Sequence, residues 1–264
     1  MDYNVKLNLI HSQRLKTLEV WFIYFVILKK INLMQNFFKK YRIIISFFVL
    51  FSIITLTAFY QVLKPKKQLM IYNPMDVNPE LVDSTVQHVG YKHTIANFSF
   101  TNQNGKTITQ NDYNGKIFVA DFFFTTCQSI CPKMTTNMVW LQNQLKNNDK
   151  VKLLSFSVTP DIDSVAVLKK YALEKGVIDS KWNLLTGDKK EIYYLARKSF
   201  LVVKTGKPSE LFDMVHTENF VLVDDKKRIR GFYDGTNLNG PTEKGIKNVQ
   251  QLLEDILFLC ANKK

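Results

Sequence analysis

The sequence is poor in cysteine, with three in 264 residues, and holds neither an internal repeat nor a low-complexity tract. The lack of repeats excludes a solenoid, and so few cysteines confine any thiol chemistry to one or two places. Charge is missing altogether from Ile43 to Leu63, a run dominated by Ile, Phe, Val and Leu. At ~1.5 Å per residue its twenty-one residues cross a ~30 Å hydrocarbon core, so it reads as a single membrane-spanning helix. No A-x-A-like site follows around Thr57-Ala58-Phe59-Tyr60, which favours an uncleaved anchor over a signal peptide. The N-terminus also lacks the Arg- and Ser-rich, acid-poor look of a transit peptide, which favours a bacterial inner membrane over a mitochondrial one.

Basic residues set the orientation. Lys6, Arg14, Lys16, Lys29, Lys30, Lys39, Lys40 and Arg42 precede the apolar run, and only Lys64, Lys66 and Lys67 follow it before Lys92. This bias predicts a cytoplasmic segment over 1–42, an anchor over 43–63 and a periplasmic remainder. Leu18 to Leu28 is too short to span and is interrupted by Glu19. Met34 opens a short, basic lead-in to the anchor, so we expect residues 1–33 to be an over-extended start. The net charge of +13 is concentrated here: residues 1–67 hold eleven Lys/Arg against Asp2 and Glu19, and the rest holds 25 against 21 acidic residues. Such a mildly basic remainder does not suggest a nucleic-acid partner. Its length, roughly 190 residues, suits one well-cored domain.

What is present concentrates around Phe122-Phe123-Phe124-Thr125-Thr126-Cys127-Gln128-Ser129-Ile130-Cys131-Pro132. Ile117 to Phe124 reads as a buried strand, and Lys133 to Lys146 as a helix with Met134, Met138, Leu141 and Leu145 on one face. Two cysteines four apart therefore sit where a strand hands over to a helix. A thiol at a helix start ionises more readily, and residues i and i+4 on one helical face let both sulfurs meet one ion or each other.

Residues 64–85 read as a linker. Beyond it we expect strands over Tyr91–Phe100 and Lys106–Thr109 around a turn at Asn102-Gln-Asn-Gly105. Next come a strand over Val151–Val158 and a helix capped by Asp163-Ser164 to about Lys175. A strand over Trp182–Leu185 and a helix from Asp188 to about Lys198 follow. A hairpin of Asn219–Val223 with Ile229–Tyr233 and a helix from Thr242 to about Ala261 close the chain. The order predicts an α/β, thioredoxin-like sandwich with an added hairpin over 86–264.

Four motifs in order resemble one family. They are Cys127-x-x-x-Cys131-Pro132 after a buried strand, Ser157-Val158-Thr159-Pro160-Asp161-Ile162-Asp163, Trp182-Asn-Leu-Leu-Thr-Gly187, and His216 ahead of Phe220-Val-Leu-Val-Asp-Asp225. Over roughly Val86 to Phe258 the chain resembles the Sco/SenC copper-binding proteins of cytochrome oxidase assembly. The resemblance implies that Cys127, Cys131 and His216 bind copper. It further implies a membrane-anchored chaperone delivering copper to the copper-bearing subunit of cytochrome c oxidase, with other copper or thiol-redox carriers as partners: a metal carrier rather than an enzyme. The donor chemistry agrees, since thiolates suit Cu(I) and an imidazole extends the site to Cu(II). Zinc is the rival on ligand type.

The same pair supports a second reading, a thiol–disulfide oxidoreductase that needs Cys127 and Cys131 as its redox-active pair but not His216. A thiol peroxidase is a third, for which only Thr125-Thr126 offers a hint. Two departures from the family pattern bear on the choice. Gln128-Ser129 stands where many members have Pro-Asp, and Val215 where Asp often precedes the histidine. Loss of acidic neighbours alters the basicity of the ligands and gives redox chemistry more room. Among other candidates, His88 and His93 read as surface residues, Met134 as core rather than ligand, Met214 as a residue able to approach a copper, and Cys260 as a packed apolar residue.

Overall fold

The computed structural model describes residues 29–30, 35, 39–64, 67–79, 82–202, 217–242 and 246–262. The chain divides into two compact units, Met1–Lys67 and Gln68–Lys264. The first contains helix α1, Lys39–Leu63, the one helix among the described residues long and apolar enough to cross a membrane. Thr55 and Thr57 donate their hydroxyls to the carbonyls of Phe51 and Ile53 one turn back. Their polar hydrogens are thereby satisfied within the helix, as a hydrocarbon surround demands.

The second unit is built on one eight-stranded sheet. In chain order it comprises β1 (Ser99–Asn102), β2 (Thr107–Thr109), β3 (Ile117–Phe123), α2 (Cys131–Leu145), β4 (Val151–Ser157), α3 (Val165–Lys175) and β5 (Trp182–Thr186). Then follow α4 (Lys189–Tyr194), β6 (Asn219–Val223), β7 (Ile229–Asp234), β8 (Lys247–Asn248) and α5 (Val249–Ala261). The strand order is β2-β1-β5-β4-β3-β6-β7-β8. The central strands β3 and β4 run parallel from Ile117 opposite Val151 to Phe123 opposite Ser157. Every residue of β3 is buried, because helices cover both faces of the sheet; hence a run apolar but for Asp121 in place of alternation.

One face packs Phe98, Phe100, Phe122, Phe156 and Phe200 with Ile192 of α4. The other packs Val119, Phe123 and Leu153 against α2, α3 and α5 through Met134, Met138, Leu168 and Ile256. Met134 is thus core, and Cys260 is half-buried against the same cluster, accepting from Asn148 Nδ2 at 3.5 Å.

Boundaries differ from the sequence expectations where tertiary contacts overrule local pattern. Residues 64–85 do not form a free linker throughout: Leu69 and Val82 are buried, and Tyr72 bridges to Ile229. The first strand begins at Ser99 rather than Tyr91, and the last helix at Val249 rather than Thr242. Lys247–Asn248 instead pairs with β7, and Asn248 caps α5 by accepting from Gln251 N–H. His93 is not a bare surface residue, since its Nε2 lies 2.7 Å from the Ser199 carbonyl. His88 is exposed.

Candidate metal and thiol site

The C-terminal end of β3 delivers the cysteines. Cys131 is the first residue of α2, two residues before the expected start, with Pro132 following in the first turn, where its missing N–H costs nothing. Cys127 is outside the helix altogether. It ends a tight turn in which its N–H donates to the Phe124 carbonyl at 3.3 Å. The i, i+4 helical-face argument therefore fails in its mechanism; the turn and the helix start nonetheless place both cysteines in one buried cluster with Phe123 and Met134. Both are free thiols and both are buried.

Their electrostatics are opposite. Burial would raise the Cys127 thiol. Hydrogen bonds from the Ser129 hydroxyl, the Cys131 thiol and the backbone N–H groups of Cys131 and Ser129 outweigh it and lower the thiol to about 6. Burial pushes Cys131 up to about 12, reinforced by the loss its own donated hydrogen bond would suffer on ionisation. The acidic thiol is thus the one before the helix, not the one at its first residue, because burial and hydrogen-bond direction outweigh the helix end at Cys131. Ser129 is one of the departures from the family pattern. Its Oγ lies 3.5 Å from the Cys127 sulfur, so the position that lost an acid provides a neutral donor.

Beneath the pair lies a buried carboxyl that the motif search did not single out. Asp121 of β3 is 3 % exposed. It accepts a short hydrogen bond from Ser155 on the facing β4 position, and Ser155 accepts from Trp182 Nε1 at 2.9 Å. A lone Asp inside an apolar strand pattern was the available signal. Burial raises it from 3.8 to about 7, with the Ser155 hydroxyl and its own backbone N–H offsetting part of the shift. Because the folded-state value lies above the unfolded one, the native state binds the extra proton between those limits. Stability therefore falls as pH rises from about 4 to about 7 and is level above. The shift corresponds to about 4 kcal/mol of charging cost. Asp121→Asn is expected to gain about 2 kcal/mol in urea unfolding at pH 8, net of about 2 kcal/mol for an amide N–H left without a partner, and to lose about 1 kcal/mol at pH 4.5, where the charging cost has fallen to about 1 kcal/mol. An equal effect at both pH values would contradict a buried charge.

Could the pair hold a metal? Two soft sulfur donors in one buried cluster suit Cu(I), whose binding displaces their protons. Among the described residues no group of three or more His, Cys, Asp or Glu could hold a metal, so the two sulfurs are one ligand short. His216 and Met214 lie outside the described residues. Thr125, half of the pair that hinted at a peroxidase, donates its hydroxyl to Asp163 rather than to Cys127.

A central parallel β-pair, a buried dithiol where the strand meets a helix, and a β-hairpin ahead of the closing helix define a thioredoxin-like dithiol protein with an extended sheet. Comparison with known proteins narrows this. The SCO1/SenC family profile matches residues 86–254, and the chain belongs to that family. It is 37% identical over 155 residues to the SCO1 protein homolog of Bacillus subtilis (strain 168), covering 58% of this chain and 79% of that one. A SCO1/SenC family lipoprotein from Bacillus anthracis str. Ames superposes with a TM-score of 0.53 at 32% identity, covering 64% of this chain and 95% of that one. BsSco, a member of the Sco family of cytochrome c oxidase assembly proteins in which a disulfide switch has been identified, gives a TM-score of 0.53 at 32% identity over 66% of this chain and 98% of its own.

Proposed function

We propose that this protein is a membrane-anchored copper chaperone that delivers copper to cytochrome c oxidase during its assembly. The observation that carries the reading is the pair of buried cysteines at the junction of β3 and α2, the Cys127 thiol lowered and the Cys131 thiol raised. Cys127 offers a thiolate near neutral pH, and Cys131 loses its proton as the metal arrives, so uptake releases protons and weakens in acid. His216 is the proposed third ligand, a nitrogen that extends the site from Cu(I) to Cu(II). Three ligands leave the ion open to exchange with those of a recipient. Residues 1–42 are assigned to the cytoplasm and the domain after α1 to the periplasm, on the strength of the Lys/Arg asymmetry.

A specific observation favours a second reading. An acidic Cys127 beside a protonated Cys131 is the arrangement of an attacking and a resolving thiol, and the related BsSco carries a disulfide switch. His216→Ala separates the two. Exchange with a small disulfide should persist within about tenfold, since both thiols and the helix start are untouched. Cu(II) binding should be lost, and with it oxidase assembly in cells. Normal assembly with His216→Ala but not with Cys127→Ser would hand the function to thiol chemistry.

A further inference from the structure

The sequence assigns Asp163, with Ser164, to the cap of α3. Only Ser164 caps it, through a hydrogen bond from the Val167 N–H to its hydroxyl. The Asp163 side chain turns inward and is fully buried. Its Oδ2 accepts from the Ser157 hydroxyl at 2.5 Å, the Thr159 hydroxyl at 3.1 Å and the Thr125 N–H at 3.2 Å, and its Oδ1 accepts from the Thr125 hydroxyl at 2.5 Å. One carboxyl group thus gathers the end of β4 and the segment leaving β3. The join is continued by the Val158 N–H donating to the Phe123 carbonyl at 2.9 Å.

Thr125 is the second residue of the turn closed by Cys127 N–H on the Phe124 carbonyl. Both its backbone N–H and its hydroxyl end on Asp163, so the turn is held in position and in rotation about its axis. An apolar side chain at 163 would fill the same space without directing four donors. We propose that Asp163 is a positioning residue for the dithiol: by holding Thr125 it sets the turn that presents the Cys127 sulfur to Cys131 and to a shared metal. The metal half of this rests on the copper reading above; the dithiol half does not.

The test uses the full chain in detergent, in three variants. Thr125→Val keeps the shape and the backbone N–H but removes the hydroxyl, Asp163→Asn removes the charge, and Asp224→Asn is the control. Asp224 is also a buried carboxyl, gripped by Arg228 and Arg230 beyond β6, whose Val223 end lies beside Phe118, away from the cysteines. Two quantities are read besides the denaturation midpoint: the equilibrium of the Cys127–Cys131 disulfide against dithiothreitol, without metal, and the competition constant for Cu(I). Thr125→Val and Asp163→Asn should weaken disulfide formation about tenfold through lost alignment of the sulfurs, and Cu(I) affinity in parallel. Asp224→Asn should lower the midpoint and leave both constants within about twofold. Should Asp163→Asn fail to fold, Thr125→Val alone decides. Constants unchanged in Thr125→Val, or shifted as far by Asp224→Asn, would overturn the proposal. A parent protein that binds no Cu(I), with the disulfide equilibrium still shifted in Thr125→Val, would overturn the copper reading and leave the positioning role standing.

Discussion

Replacing either Cys127 or Cys131 with Ser should abolish tight Cu(I) binding by the reduced, oxygen-free protein, which we expect to take up one ion per chain. The effect is large because each substitution removes half of the soft donor set. A serine hydroxyl is hard and stays protonated at neutral pH, so it neither attracts Cu(I) nor releases a proton to it. Neither replacement should unfold the domain, since each exchanges a sulfur for an oxygen at a turn and a helix start and leaves β3 and α2 packed as before. Copper stoichiometry by atomic absorption, beside a far-ultraviolet spectrum, is the check. Full stoichiometry in both single mutants would remove these cysteines as the site.

At pH 7, iodoacetamide should modify Cys127 at least about a hundredfold faster than Cys131. With the first thiol at about 6 and the second at about 12, the thiolate populations differ by about five decades at neutrality. Intrinsic nucleophilicity falls with acidity at a Brønsted slope near 0.4–0.5, which returns roughly three of those decades to Cys131. About two remain, and the lesser exposure of Cys131 adds to them. The rate at Cys127 should rise with pH, reach half its plateau near 6, and stay flat above about 7, since deprotonation is then complete. Peptide mapping across pH 5–9 reads both residues at once. Comparable rates at the two cysteines, or a half-point near the 8.5 of a free thiol, would refute the hydrogen-bond assignment. Ser129→Ala should move the half-point upward by removing the strongest of the donors that lower it.

The central architecture was legible because it rests on short-range pattern. β3 and β4 are mainly apolar, buried runs flanked by turn residues, α2 carries its apolar stripe from Met134 to Leu145, and Ser164 and Asp188 are cap residues at true helix starts. Elements held by partners far along the chain were not. Tyr91–Phe98 has strand composition but forms no strand before Ser99, and its Ile95 N–H donates to the Lys227 carbonyl instead. The pairing of Lys247–Asn248 with β7 likewise depends on a neighbour that local pattern does not name.

By itself the sequence determined the apolar segment ending at Leu63, the α/β order, and the placing of two cysteines at the junction of a buried strand and a helix. Each follows from hydrophobic period or from residues within one turn of each other, and such information is local. Tertiary structure alone decided which cysteine is acidic. That choice depends on burial set by the packing of α2 against the sheet, on the Ser129 hydroxyl, and on the backbone N–H groups around Cys127. It also decided that Asp121 lies uncharged-favouring beneath the pair and that Asp163 faces Thr125 rather than its own helix. Hydrogen-bond direction and desolvation are properties of neighbours in space, and Thr125 and Asp163 are brought together only when β3 and β4 pair in register.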